Sequence, residues 1–133
     1  MPLDPAIVAD LLAAAAGHAG YDPPSTLYLA ALTSEPSDIE QGTECSGDGY
    51  NRAMVTPATL MVLVSGTWQN GSDIVFAAAT ADWPDDIVAI SAYPAGEGTA
   101  DRQWYFVLAE PVTVASGKAL RIPAGDLTVE YPS

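Results

Sequence analysis

The sequence predicts a mainly β protein, an antiparallel β-sandwich with one short N-terminal α-helix, and three observations lead to this class. A helical pattern of apolar residues is confined to the start of the chain. Later, short apolar runs bounded by Gly, Pro, Asn, Asp or Ser recur about every 8–12 residues, as in sandwiches and barrels. No helix-length pattern separates these runs, although the crossovers of a parallel sheet would require one.

The first predicted element is the N-terminal helix. Asp4 is placed to cap its first turn and Gly17 to end it. The side chains of Ile7, Leu11 and Leu12 fall on one stripe of such a helix. We therefore expect this stripe to dock on the β-domain or on a neighbouring subunit.

The predicted strands follow a connector that carries glycine and two prolines. With 133 residues the chain fits a single domain, 1–133, in which residues 1–17 form the helix and residues 27–131 form the β-sandwich. The predicted strands are Leu27–Thr33, Ala53–Val55, Leu60–Ser65, Ile74–Ala78, Ile87–Tyr93, Gln103–Ala109, Val112–Val114, Ala119–Ile122 and Leu127–Tyr131.

Composition and charge exclude several classes of function. Apolar residues make up 49% of the chain, which argues against disorder, and the net charge of −13 disfavours binding to nucleic acid or to anionic membranes. No segment is apolar and long enough to predict a membrane span, and the N-terminus lacks the basic region of a signal peptide. The single cysteine, Cys45, cannot form an internal disulfide.

A long acidic segment interrupts the predicted strands. Residues 34–51 have no apolar period and carry five acids, and Arg52 follows them directly. A loop of this length in a small domain is usually functional or clamped. We expect Arg52, with backbone amides, to satisfy acids such as Glu44 and Asp48. A calcium site is the alternative, although the spacing matches no known calcium loop.

The residues that catalysis would need are poorly placed in the sequence. His18 is the only histidine and follows the predicted helix, where a surface position is typical. Cys45 lies between Glu44 and a serine, and a neighbouring carboxylate disfavours the thiolate. No phosphate loop, dinucleotide fingerprint or zinc spacing is present. The sequence therefore predicts no enzyme, no cofactor and no metal.

Three tryptophans admit two interpretations. Trp68, Trp83 and Trp104 would form a sugar-stacking platform if they were exposed together. The interpretation we favour is that they pack within the fold or lie in subunit contacts. They therefore join the helix stripe as candidate interface residues.

Three segments resemble a family of small virion proteins of tailed bacteriophages, often labelled tail-fibre-like. The segment Leu27–Thr56 is similar to the family's strand and its loop ending in G-T-E-x-S-G-x-G-Y-x-R. Thr80–Tyr93 resembles its A-T-A-D-W segment, and Arg102–Tyr131 resembles its ending. Together they cover well over half of the chain. The sequence departs from the family at Trp68–Val75, after Tyr93 and at Cys45, a normally aliphatic position.

The resemblance implies a non-enzymatic component of a phage particle. We favour a capsid-exterior cement or decoration protein, with a tail-fibre or baseplate-attached subunit as the alternative and a carbohydrate-binding receptor module as the alternative of another class. The implied partners are the major capsid protein or tail components, and further copies of the chain, as a trimer. The implied location is the virion, after assembly in the bacterial host cytoplasm.

Overall fold

A computed structural model describes residues 3–17 and 23–128 and shows a mainly β protein. Helix α1 spans Pro5–Ala15, and a single-turn helix, α2, spans Pro57–Leu60. All strand pairs are antiparallel. The predicted mainly β fold with a short N-terminal helix is therefore confirmed. The strands are β1 (Leu27–Leu32), β2 (Ala53–Val55), β3 (Met61–Val64), β4 (Thr67–Asn70), β5 (Ile74–Val75), β6 (Ile87–Tyr93), β7 (Trp104–Val112) and β8 (Arg121–Ile122).

The central sheet has four strands in the order β2-β1-β6-β7. Its two inner strands are almost entirely buried, because both faces of the sheet are covered. Their sequences accordingly read as continuous apolar runs rather than as alternating ones. Strands β2 and β6 have the predicted bounds, whereas two predicted runs join to form β7, whose register against β6 shifts between Ile87 and Ala89.

One face of this sheet packs against a second layer built on β5 and β8. Leu29 and Ile90, both fully buried, share a core cluster with Ile74, Phe76 and Ile122 from that layer. The β5–β8 ladder continues beyond the strands, since the Phe76 N–H donates to the Leu120 carbonyl at 2.9 Å. The layer thus combines short strands with connecting segments.

Helix α1 is anchored by its first turn. A carboxylate oxygen of Asp4 accepts a hydrogen bond from the Ala6 N–H at 3.1 Å, as expected of an N-cap. Ile7 is buried, but Leu11 and Leu12 are 45% and 66% exposed. Within the chain the predicted stripe therefore docks only at Ile7, and its docking on a neighbouring subunit stays a prediction.

Strands β3 and β4 form a hairpin that the sequence analysis did not predict. The run 60–65 was expected as one strand, but the chain reverses at Ser65 and Gly66. Both have positive φ, 50° and 84°, as a two-residue type I′ turn requires. Asn70 ends β4, although Asn followed by Gly is a common turn signal.

The base of the hairpin is fixed by the side chain of Asn70, which is fully buried. Its amide NH₂ donates to the carbonyls of Ser72 and Pro123, both at 3.0 Å. Its amide oxygen accepts from the N–H groups of Gly125 and Leu127 at 3.1 and 2.9 Å. After a turn in which the Asp126 N–H donates to the Pro123 carbonyl at 3.1 Å, Thr128 pairs with Gln69 of β4. Residues 129–131 of the predicted strand 127–131 lie outside the described residues.

Candidate functional site

The acidic segment covers the second face of the central sheet, and Arg52 holds it there. The guanidinium donates to both carboxylate oxygens of Glu44, at 2.9 and 2.8 Å, and to the carbonyls of Ala95 and Gly98, at 2.9 and 2.6 Å. It also lies 4.5 Å from the centre of the Tyr93 ring. The structure therefore brings Arg52 and Glu44 together.

Burial and hydrogen bonding act in opposite directions on Glu44. Burial raises the pKa of its carboxyl, but hydrogen bonds from Arg52 and Tyr50 outweigh burial, so the pKa lies below its ordinary value. Burial, together with the bond to Glu44, raises the pKa of Tyr50. The phenol hydroxyl also accepts the Ala31 N–H at 3.0 Å and thereby ties the segment to β1.

Asp48 takes part through its backbone instead of its carboxylate. Its carbonyl accepts hydrogen bonds from the Trp83 indole N–H at 3.0 Å and from the Thr80 N–H at 3.1 Å. Gly47 lies flat against the same ring, and a Cβ there would come within 2.1 Å of a Trp83 ring carbon. Only glycine fits this close approach.

A second arginine, which sequence reasoning did not single out, fastens the other end of the acidic segment. Arg102 is 3% exposed. It donates to the Asp4 carboxylate at 3.1 Å and to the carbonyls of Glu40 and Ser37 at 2.9 and 2.8 Å. It also stacks 4.6 Å from the centre of the Tyr105 ring. The sequence did contain one indication of this role. The chain has only four cations for 17 acids, so each cation is a candidate to hold an acidic segment in place.

A third arginine acts at the surface. Arg121, whose side chain is 64% exposed, pairs with Asp73. This partner lowers the pKa of the Asp73 carboxyl, and the Ala124 N–H, 2.8 Å from its other oxygen, lowers it further. Three of the four cations thus hold connecting segments in place.

The tryptophans separate into buried and exposed positions. Trp83 and Trp104 are 4% and 8% exposed and belong to the core cluster, so their rings are not available to a partner. Trp68 is 49% exposed and lies opposite Leu63 on the β3–β4 hairpin. The three rings therefore do not form one platform, and Trp68 is the one that a partner can reach.

The described residues offer little for catalysis. Cys45 is buried, and burial raises the pKa of its thiol, as do nearby carboxylates, so the nucleophilic thiolate is disfavoured. Within residues 3–17 and 23–128, no three His, Cys, Asp or Glu side chains are grouped so as to hold a metal ion. A cleft of about 430 Å³ beside β7 and β8 is lined by Phe106, Leu108 and Ile122 among others. His18 lies outside the described residues.

None of the helices in the described ranges has the length and hydropathy to span a membrane.

Comparison with known proteins supplies the family. A search of curated proteins found no match. Residues 6–130 match the model of a family described as podophage GP4 fiber I protein gp80.

The chain belongs to this family. The match spans nearly the whole sequence, including the clamped acidic segment and the β3–β4 hairpin. The chain is therefore a member of a tailed-phage virion structural protein family, as the resemblance implied. Its location is the virion, and its partners include other virion components.

Proposed function

We propose that the chain is a non-catalytic subunit of the tail-fibre apparatus that acts through protein–protein contacts. The observation that carries this proposal is the match of residues 6–130 to a podophage fiber protein family. From the sequence, a cement or decoration protein on the capsid exterior was the favoured role. The description of the family favours its alternative, the tail fibre.

The geometry is consistent with a structural part. Both ends of the acidic segment are fastened, by Arg52 and by Arg102, and the thiol of Cys45 is buried, which raises its pKa. A rigid domain with an exposed apolar hairpin is suited to attachment, not to turnover. Assembly would take place in the host cytoplasm, and we expect the chain to act as a trimer, in line with the rotational symmetry common in oligomers.

Electron microscopy of virions would test the location. Particles of the phage that encodes the chain would be labelled with gold-conjugated antibodies against it, and particles lacking the gene would serve as the control. We expect label at the tail. Label distributed over the capsid would favour the cement or decoration role and overturn the fibre assignment.

A binding assay would test the receptor alternative. A carbohydrate-binding module would use the one exposed tryptophan described, Trp68. We expect no binding of the isolated protein to host polysaccharide. Binding that is lost in Trp68→Ala but kept in a variant of an exposed aliphatic residue, Leu12→Ala, would favour the carbohydrate-binding module.

A further inference from the structure

The β3–β4 hairpin, residues 61–70, exposes apolar side chains on both of its faces, and we call it the apolar ribbon. Leu63 and Trp68 are directly opposite each other and share one face, at 57% and 49% exposure. Val62 and Val64 alternate with them, point to the other face and are 37% and 46% exposed. A two-stranded ribbon with no cover on either face is marginally stable in water.

The ribbon is held out from the body rather than folded onto it. Asn70 locks its base with four hydrogen bonds, and the tight turn at Ser65 and Gly66 fixes its tip. The ribbon is therefore ready for a partner without a large ordering cost, which favours binding.

Charge indicates what this partner is. Residues 53–72 contain no charged side chain, so all 17 acids and all four cations lie elsewhere. Two copies that meet through any acidic surface repel each other, because each carries a net charge of −13. The uncharged ribbon is the surface where a second copy can approach at the least electrostatic cost. A basic partner would instead be drawn to the acidic surfaces.

We propose that copies of this chain associate with one another through the apolar ribbon, in a closed ring in which each ribbon contacts two neighbours. A two-fold dimer would cover one face, whereas a ring uses both, since a head-to-tail interface that closes places each subunit between two others. This inference rests on the proposed role as a structural subunit of the virion, and it identifies the self-association surface for that role.

The size of the ribbon sets the expected strength. Its four side chains expose roughly 350 Å² of apolar surface in total, divided between the two faces, so that each face is smaller than the contiguous patches usual at functional sites of monomers. Stable pairs bury about 800 Å² on each partner. We therefore expect weak association in solution, visible toward the upper end of the micromolar range, and stronger association in the particle where copies are held together.

Sedimentation velocity of the full chain, from about 1 to about 200 µM, would test the proposal. We expect concentration-dependent association of the wild type that tightens as salt screens the acidic surfaces. The double variant Leu63→Ser, Trp68→Ser should weaken association about 30-fold or more. Leu63→Asp provides a second disruption, through like-charge repulsion. Thermal melts of each variant at low concentration check that the monomer remains folded.

The matched control is Ile39→Ser. Ile39 is 89% exposed, but it lies in the acidic segment, so the same loss of an exposed apolar side chain should leave association unchanged. A wild type that is monomeric at every concentration and salt, or a folded ribbon variant that associates like the wild type, would overturn the proposal. The proposed tail-fibre function is tested separately by the gold-labelling experiment, because neither sedimentation result bears on where the chain is located in the virion.

Discussion

The acidic segment and the apolar ribbon both leave the core of the central sheet, and they are held in opposite ways. The acidic segment, residues 34–51, is drawn back onto the sheet by two arginines and two tyrosines. The ribbon is anchored at its base, by the buried side chain of Asn70 and by the pairing of Gln69 with Thr128, and its apolar side chains stay exposed. The charged region is thus held against the fold, whereas the uncharged region exposes its apolar side chains.

A polar segment can thus form its hydrogen bonds and ion pairs within the chain while an apolar segment of the same chain stays exposed. Two acids of the first region have side-chain partners within the chain, Glu44 with Arg52 and Asp38 with Tyr105. The apolar side chains of the second region lack such partners. Leu63 and Trp68 stay about half exposed to solvent. An exposed patch of this kind marks an interaction surface more often than a charged loop does.

The largest expected effect is loss of the Arg102 clamp. Arg102→Ala should lower the free energy of unfolding by about 3–5 kcal/mol, because it leaves Asp4 and two loop carbonyls without their buried donor. Urea denaturation measures this. Arg121→Ala, which removes an exposed arginine paired with Asp73, is the control and should cost far less. Equal losses for the two variants would contradict the clamp.

The next effect concerns the packing of the acidic segment on Trp83. Gly47→Ala should destabilise the protein by about 1–3 kcal/mol, because the added methyl group collides with the indole ring. The control is Gly96→Ala, whose added Cβ would meet Tyr28 at an ordinary contact distance of 3.7 Å. Thermal melts compare the two. A neutral Gly47→Ala would show that the segment is loosely held.

The pH dependence of stability should report the Arg52–Glu44 pair. Because the folded-state pKa of Glu44 is lowered, its contribution is complete above the ordinary value of 4.5 and is lost as pH falls through the folded pKa. We expect Glu44→Gln to be less stable than the wild type at neutral pH and to lose less stability on acidification.

Glu110→Gln is the control for that series, since Glu110 is exposed on β7. Urea midpoints at several pH values from about 7 to about 3 would measure both variants. If the two substitutions changed the pH profile equally, Glu44 would have no special partner.

The smallest effect on the stability of the monomer is expected in the ribbon. Leu63→Ser should change the free energy of unfolding by less than about 1 kcal/mol at low protein concentration, as surface substitutions usually do. A much larger loss would mean that the ribbon belongs to the core of the monomer.

The sequence predicted those parts of the fold that depend on local signals. Strand β6 is an apolar run between an aspartate and a proline, and these two flanking residues made both of its ends predictable. The hairpin was missed because β4 reads Thr-Trp-Gln-Asn, which lacks a strand pattern, and because Asn70 before Gly71 resembles a turn. In fact the amide of Asn70 serves segments about 50 residues away in sequence, at 3.0 Å from the Pro123 carbonyl.

In the candidate site, too, contacts between residues near in sequence were predictable and contacts between distant residues were not. Arg52 and Glu44 are eight residues apart, so the pairing was predictable from the segment itself. The partners of Arg102 lie 62 to 98 residues away, and no local pattern contains them. Likewise, the burial of Trp83 and Trp104 and the exposure of Leu11 depend on packing between distant segments.

The span of the Arg102 clamp also constrains the order of folding. Asp4 and Arg102 are separated by 98 residues, so the N-terminal helix cannot be locked in place until most of the chain has left the ribosome. Contacts of such long sequence separation slow folding, because the loop between them must close before they form. During synthesis, the first turn of α1 can therefore dock only after Arg102 and the start of β7 have been made. In truncated products that end before Arg102, the helix should remain undocked.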